Sequence, residues 1–124
     1  MIKIAVSSGD PAGIGPDICI KAFGQKKTYD FSPVIFGDKE LFKSRAKTLG
    51  INADIQIYKG QEELSNDSLW IANRDCNLNI LPGKPDPNCA NFIISNFKQA
   101  VERTISEEFE AVVTCPINKE IINK

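Results

Sequence analysis

Apolar and polar positions alternate along the chain in short blocks that predict strands and helices in turn. Apolar runs of four or five residues predict strands at 2–6, 33–36 and 55–58. Two further strands are predicted at 78–81 and 111–114. Strands that alternate with helices are typical of an α/β fold, in which helices cover both faces of a parallel sheet.

The first two helices are predicted from their ends as well as from their apolar positions. One runs from Pro16 to Phe23 and ends at Gly24, since proline suits a first helical turn and glycine a helix end. Asp38 is a suitable N-cap for the next helix, which ends at Gly50.

The second half of the chain contains one long helix and one long polar segment. Asn88 is expected to cap the helix, whose apolar side chains recur every four residues: Ile93, Phe97, Val101 and Ile105. The acidic residues at its end are expected to form a solvated surface: Glu107, Glu108 and Glu110. Residues 59–76 are predicted to be irregular, with Trp70 and Ile71 anchoring them to the body.

A glycine-rich loop, residues 7–16, joins the first strand to the first helix. A strand that turns through glycines into a helix N-terminus is a common anion site. The order Gly9-x3-Gly13-x-Gly15 matches neither a P-loop nor the dinucleotide fingerprint, so a tight structural turn is an equal alternative. Asp10 would orient a substrate amine or a backbone amide, or cap the turn.

A second loop, residues 114–119, follows the last strand. Its hydroxyl, amide and ammonium groups, from Thr114, Asn118 and Lys119, suit a phosphate or a carboxylate. The alternative is a helix cap at Asn118 beside a solvated lysine. Because parallel strands end at a common edge, we expect the two loops to open on the same side of the sheet.

Composition narrows the function classes. A formal net charge of −1 provides no long-range attraction to nucleic acid or to an anionic membrane. No apolar run approaches the roughly 20 residues that span a bilayer. The apolar residues near the N-terminus are too few for a secretory signal, so we expect a cytoplasmic protein.

The chain has no histidine and four cysteines, at positions 19, 76, 89 and 115. No two of them form a CxxC pair, and without histidine they cannot build a mixed zinc site. We expect structural thiols, with Cys19 and Cys115 buried. Nucleophilic catalysis by Ser7, Ser8 or Cys115 has little support because no histidine base exists.

Two segments resemble a known family. Residues 8–17, SGDPAGIGPD, closely resemble the N-terminal signature of the 4-hydroxythreonine-4-phosphate dehydrogenases, and residues 111–119 resemble a later segment of that family. The resemblance implies a three-layer α/β/α fold with a mostly parallel sheet, like that of isocitrate and isopropylmalate dehydrogenases. It also implies that residues 1–124 form the N-terminal α/β domain, left incomplete, of a longer two-domain enzyme.

The resemblance also implies a reaction. Such enzymes use NAD to oxidise 4-phosphohydroxy-L-threonine, and the product loses carbon dioxide to give 3-amino-2-oxopropyl phosphate for pyridoxal phosphate biosynthesis. They are homodimers that use a divalent metal (Zn, Mg or Co) held by histidines. Because this chain has no histidine, we expect it to bind no metal or NAD and to be inactive alone.

We hypothesise that six residues line a substrate cleft, because their loops share one edge of the sheet: Gly9, Asp10 and Pro11 on one side and Thr114, Asn118 and Lys119 on the other. Two alternatives stay open. One is a sister dehydrogenase for a phosphorylated sugar acid such as threonate 4-phosphate, and the other is a non-catalytic binding module. The resemblance also implies that later chain completes this domain, so we expect residues 1–124 to leave a sheet edge or helix-docking face uncovered and to form dimers or larger assemblies.

Overall fold

The described part of the chain, residues 2–25, 30–60 and 63–116 of a computed structural model, contains one five-stranded parallel sheet with helices on both faces. The strands are β1 (Ile2–Ser7), β2 (Phe31–Gly37), β3 (Ile55–Ile57), β4 (Leu69–Asn73) and β5 (Ala111–Thr114). The helices are α1 (Gly15–Phe23), α2 (Lys39–Leu49) and α3 (Ala90–Ile105), the last preceded by a 3₁₀ turn (Pro87–Cys89). The strand order is β3-β4-β2-β1-β5, which confirms the predicted α/β class.

Two apolar clusters lie on opposite faces of the sheet. Helices α1 and α2 pack on one face, where the buried residues are Val6, Cys19, Ile20, Ile35, Phe42, Ala46, Ile55, Leu69 and Ile71. Helix α3 covers the other face, where they are Ala5, Val34, Phe36, Tyr58, Ala72, Ala100 and Phe109. Successive residues of β1 and β2 enter opposite clusters, as strand alternation requires. The central strands are therefore buried on both faces.

The predicted ends of the first two helices are confirmed. The Asp38 carboxylate accepts hydrogen bonds from the backbone N–H groups of Glu40 (2.9 Å) and Leu41 (3.4 Å), as an N-cap does. Gly50 ends α2 in the left-handed conformation, with φ +70°. Gly24 ends α1 by donating its N–H to the carbonyl of Ile20. Within the described ranges, no helix has the length and apolar character needed to cross a bilayer.

Two strand predictions were wrong. The predicted loop at 59–76 contains β4, in which Ile71 is completely buried between β2 and β3. Its apolar run of four residues is short and follows a polar segment, so the sequence pattern did not indicate a strand. Residues 78–81 form no strand in the described structure, and Leu78 and Leu81 are exposed. Next to them, the Gly83 N–H donates to the carbonyl of Ala12, so this segment is a loop against the glycine turn.

The cap predicted at Asn88 was also wrong. The Asp86 carboxylate accepts a hydrogen bond from the Asn88 backbone N–H (2.9 Å) and caps the 3₁₀ turn. Cys89 then occupies the N-cap position of α3 without a side-chain hydrogen bond. The turn moves the capping role two residues towards the N-terminus.

The expectation of a solvated acidic surface fails at Glu108. Its carboxylate accepts hydrogen bonds from Arg103 (2.6 and 2.8 Å) and from the Tyr58 hydroxyl (2.7 Å). The Tyr58 hydroxyl in turn accepts one from the Lys3 ammonium (2.8 Å). The Arg103 guanidinium also lies over the ring of Phe109. Hydrogen bonding to Arg103 is the main reason that the pKa of Glu108 lies below its ordinary value.

Candidate functional site

The two loops singled out in the sequence meet at one edge of the sheet. Ser7, the last residue of β1, pairs in register with Thr114, the last residue of β5. The Cys115 N–H donates to the Ser7 carbonyl (2.9 Å), which carries the pairing one residue past the strand. The predicted shared edge is confirmed, and we call this place, residues 7–16 with 114–116, the rim.

Two glycines allow this close contact. Gly9 has φ +75°, and a Cβ at this position would collide with the Pro116 carbonyl. A Cβ at Gly15 would collide with the Ser8 carbonyl and would lie 3.1 Å from the Cβ of Cys115. The glycines are therefore needed for the packing of one loop on the other.

Asp10 caps the glycine turn. Its carboxylate accepts a hydrogen bond from the Ala12 N–H (2.9 Å), and its backbone carbonyl accepts one from the Gly13 N–H (2.9 Å). The residue is 4% exposed, and its neighbours Gly9 and Pro11 are buried too. The structure thus shows the capping role that the sequence left open, and a role towards substrate stays a prediction.

Arg45 supports the glycine turn through hydrogen bonds, and the sequence analysis did not identify this residue. Its guanidinium donates to the carbonyls of Pro11 (2.6 Å) and Gly13 (3.1 Å) and to the carboxylate of Asp17 (2.9 Å). The residue is only 4% exposed, so this charge is buried and paired. One signal was available: Arg45 occurs on the apolar face of α2, directly before the buried Ala46. An arginine there needs a partner.

The β5 side of the rim is open. Thr114 is exposed, and Asn118 and Lys119 lie outside the described residues. The Ser7 hydroxyl is completely buried, and its oxygen has no hydrogen-bond partner within the described residues. A buried hydroxyl without a partner carries a free-energy cost, and such groups concentrate at functional sites. Within the described rim, the Ser7 hydroxyl is buried without a partner and the Thr114 side chain is exposed.

The carboxylates along this edge are engaged by backbone. Besides capping α2, Asp38 accepts a hydrogen bond from the Cys76 N–H (2.9 Å), much as Asp10 accepts one from Ala12. Across residues 2–25, 30–60 and 63–116, no group of three or more His, Cys, Asp or Glu side chains is placed to hold a metal ion. The side chains present do not fit the histidine-held metal that the family resemblance implies.

A parallel sheet with helices on both faces defines a three-layer α/β protein, and a glycine turn leads from its first strand into its first helix. A 4-hydroxythreonine-4-phosphate dehydrogenase from Burkholderia phymatum has this fold, with TM-score 0.89 and 21% identity over 99% of this chain and 38% of that chain. A terephthalate 1,2-cis-dihydrodioldehydrogenase from Burkholderia xenovorans shares it, with TM-score 0.78 and 21% identity over 98% of this chain and 36% of that one.

The family follows from sequence. The model of the family described as "Pyridoxal phosphate biosynthetic protein PdxA" matches residues 30–124, and the chain belongs to this family. A 4-hydroxythreonine-4-phosphate dehydrogenase from Aromatoleum aromaticum is 32% identical over 120 residues, which cover 97% of this chain and 35% of that protein. The chain spans between 35% and 38% of the length of the first curated relatives it matches.

Proposed function

We propose that this chain is the sheet and rim of an NAD- and metal-dependent dehydrogenase of pyridoxal phosphate biosynthesis. The complete enzyme would oxidise and decarboxylate 4-phosphohydroxy-L-threonine to 3-amino-2-oxopropyl phosphate, in the cytoplasm and as a homodimer. Family membership supports the substrate class. The observation that carries the proposal is the meeting of both family-like segments at one edge of the sheet.

The part assigned to this chain is positioning. Arg45 and the carboxylate of Asp10 fix the backbone of the glycine turn, and the Cys115 N–H fixes the turn against β5. A rigid rim of this kind would hold a substrate in one orientation, and such orientation contributes a large part of an enzyme's rate acceleration. When bound, NAD would accept the hydride and the metal would stabilise the developing charge; this chain has no histidine to hold the metal.

Six residues are proposed to line the substrate cleft: Gly9, Asp10, Pro11, Thr114, Asn118 and Lys119. The exposed Thr114 hydroxyl supports this assignment, since it stands at the open side of the rim. For Asp10 we propose a second role beside its cap, in which its negative charge orients the substrate amine across the rim.

A chimeric enzyme tests the proposal. Residues 1–124 would replace the aligned segment of about 120 residues in the Aromatoleum aromaticum relative. The chimera is expected to form NADH from 4-phosphohydroxy-L-threonine. A chimera that folds, by circular dichroism and gel filtration, but forms no NADH would contradict the proposal and favour a non-catalytic module.

The role of Asp10 is tested in the same chimera, or in the relative itself if the chimera does not fold. Asp10→Asn keeps an oxygen that can accept from the Ala12 N–H but removes the charge, and it is expected to lower kcat/KM more than tenfold. Asp86→Asn is a matched control, because Asp86 also accepts from the N–H two residues ahead and is not among the six proposed cleft residues. Unchanged kinetics in Asp10→Asn would leave Asp10 with the cap alone.

We also propose that the isolated chain associates with itself through β5. Within the described structure no strand pairs with the outer edge of β5, where Val113 is 51% exposed. Ile105, at the nearby end of α3, is 76% exposed. Open strand edges beside apolar side chains favour association.

A further inference from the structure

Two cysteines that are 96 positions apart in sequence meet beside the rim. The sulfur atoms of Cys19, in α1, and Cys115, just after β5, are 3.6 Å apart. Cys19 is 1% exposed, whereas Cys115 is half-buried, so that the prediction of two buried thiols holds for the first and only partly for the second. A pair this close needs little movement to reach the roughly 2.05 Å of a disulfide bond.

The surroundings give the two thiols different reactivity. The hydrogen bond between the two sulfur atoms lowers the pKa of Cys115 and, together with burial, raises the pKa of Cys19. The thiolate is the reactive form of cysteine. Cys115 is therefore the more acidic and the more exposed of the two thiols, and Cys19 is the buried, less acidic one.

We propose that Cys19 and Cys115 form a reversible thiol–disulfide site for a low-molecular-weight disulfide such as oxidised glutathione. The Cys115 thiolate attacks one sulfur of the small disulfide, breaks its S–S bond, forms a mixed disulfide and releases one small thiolate. Cys19 then gives its proton to that thiolate and attacks the Cys115 sulfur, which releases the second small thiolate. The second small thiolate takes up a proton from water, which replaces the one that Cys115 lost on ionising, so two protein thiols are oxidised and one small disulfide is reduced to two thiols.

The product would lock the rim. Cys115 lies against Gly15, and its N–H holds the Ser7 carbonyl. A bond to Cys19 would fasten the segment that leaves β5 to the helix that leaves the glycine turn. In a reducing compartment such a bond is transient, as redox-sensing disulfides are. The site would thus report the thiol–disulfide balance at the place where the two loops meet.

The other two cysteines provide an internal comparison. Cys76 and Cys89 are also neighbours, and burial raises the pKa of each thiol, that of Cys89 to about 12. Neither is favoured as a thiolate, so this pair is expected to react more slowly with oxidised glutathione than Cys19 and Cys115 do. The chain therefore contains a reactive pair and an unreactive one.

Disulfide mapping tests the proposal on the 124-residue chain without any activity assay, so its outcome is independent of the proposed function. The chain is equilibrated with reduced and oxidised glutathione, quenched with acid, alkylated, digested and analysed by mass spectrometry. The expected product is a Cys19–Cys115 cross-link that dithiothreitol reverses and that also forms in a Cys76→Ala/Cys89→Ala variant.

Cys19→Ala is expected to stop the reaction at the mixed disulfide between Cys115 and glutathione. The mapping of the unaltered chain decides the proposal even if this variant does not fold. Alkylation of both Cys19 and Cys115 after equilibration with oxidised glutathione would overturn it. So would a cross-link that joins Cys76 to Cys89 while the other pair stays reduced.

Discussion

The two neighbours of β1 differ sharply although both pair with it in parallel. Five of the seven residues of β2 are buried, whereas none of the four in β5 is, and three are exposed. Strand β2 lies between β1 and β4 and under helices on both faces, while β5 forms the edge. One side of the sheet is a packed core, and the other is an open strand edge.

The rim lies across this boundary. The glycine turn lies against the packed core, where Arg45 and Asp10 fix it, and Thr114 lies on the open edge strand. This division agrees with a chain that spans about a third of its relatives' length. The backbone of the glycine turn is fixed by contacts within the described residues, whereas Thr114 lies exposed on the edge strand.

The largest expected effect on the free energy of unfolding is the loss of a buried aromatic ring from the packed core. Phe42 is completely buried between α2 and the sheet, so Phe42→Ala is expected to lower the free energy of unfolding by about 3–5 kcal/mol. Phe97→Ala, which truncates an exposed ring on α3, is the matched control and should cost below about 1 kcal/mol. Urea denaturation measures both, and equal losses would refute the contrast.

The next effect concerns the support of the glycine turn. Arg45→Met keeps the length of the side chain but leaves the Asp17 carboxylate and two carbonyls without their donor, at a cost of about 2–3 kcal/mol. Arg74→Met removes an exposed arginine after β4 and should change stability by less than about 0.5 kcal/mol. Thermal unfolding of the two variants measures this difference. If Arg45→Met were as stable as Arg74→Met, the proposed support of the glycine turn by Arg45 would be contradicted.

A smaller effect is expected at Glu108, with a defined pH dependence. Its folded-state pKa is lowered, so its contribution is present at neutral pH and is lost as the pH falls through that lowered value. Glu108→Gln should cost about 0.5–1 kcal/mol at neutral pH, because the pair with Arg103 is partly exposed, and nothing once the carboxylate is protonated. Urea titrations at several pH values that show a constant difference would contradict this.

The smallest effect on stability is expected at the edge. Val113→Lys should change the free energy of unfolding by less than about 0.5 kcal/mol, because half of the side chain is already in solvent. It should nevertheless shift assemblies towards monomer, since lysine protects open strand edges. Light scattering at high concentration checks this, and a clean monomer before the substitution would rule out association through β5.

Local signals in the sequence were enough for much of the fold. The caps at Asp38 and Gly50 act within one helical turn, so their sequence neighbours predict them. Strand β4 was not predicted because it is stabilised by pairing with β2 and β3, and its four apolar residues are the only local signal for it. The reverse error at 78–81 has the same cause, since apolar residues make a strand only where a sheet accepts them.

The site was predictable in its position but not in its contacts. Both loops follow apolar strands, and the topology of parallel sheets then brings them to one edge. The hydrogen bonds from Arg45 to the turn and the contact of Cys19 with Cys115 join residues 28 to 96 positions apart. No spacing rule covers such distances, so these contacts required the structure.

The most direct test of the scaffold role is an assay of the purified 124-residue chain with 4-phosphohydroxy-L-threonine, NAD and a divalent metal ion. The full-length Aromatoleum aromaticum relative serves as the positive control. No NADH is expected from the chain alone, because it contains no histidine and its described carboxylates do not assemble a metal site. Sustained NADH formation by the isolated chain would contradict the account.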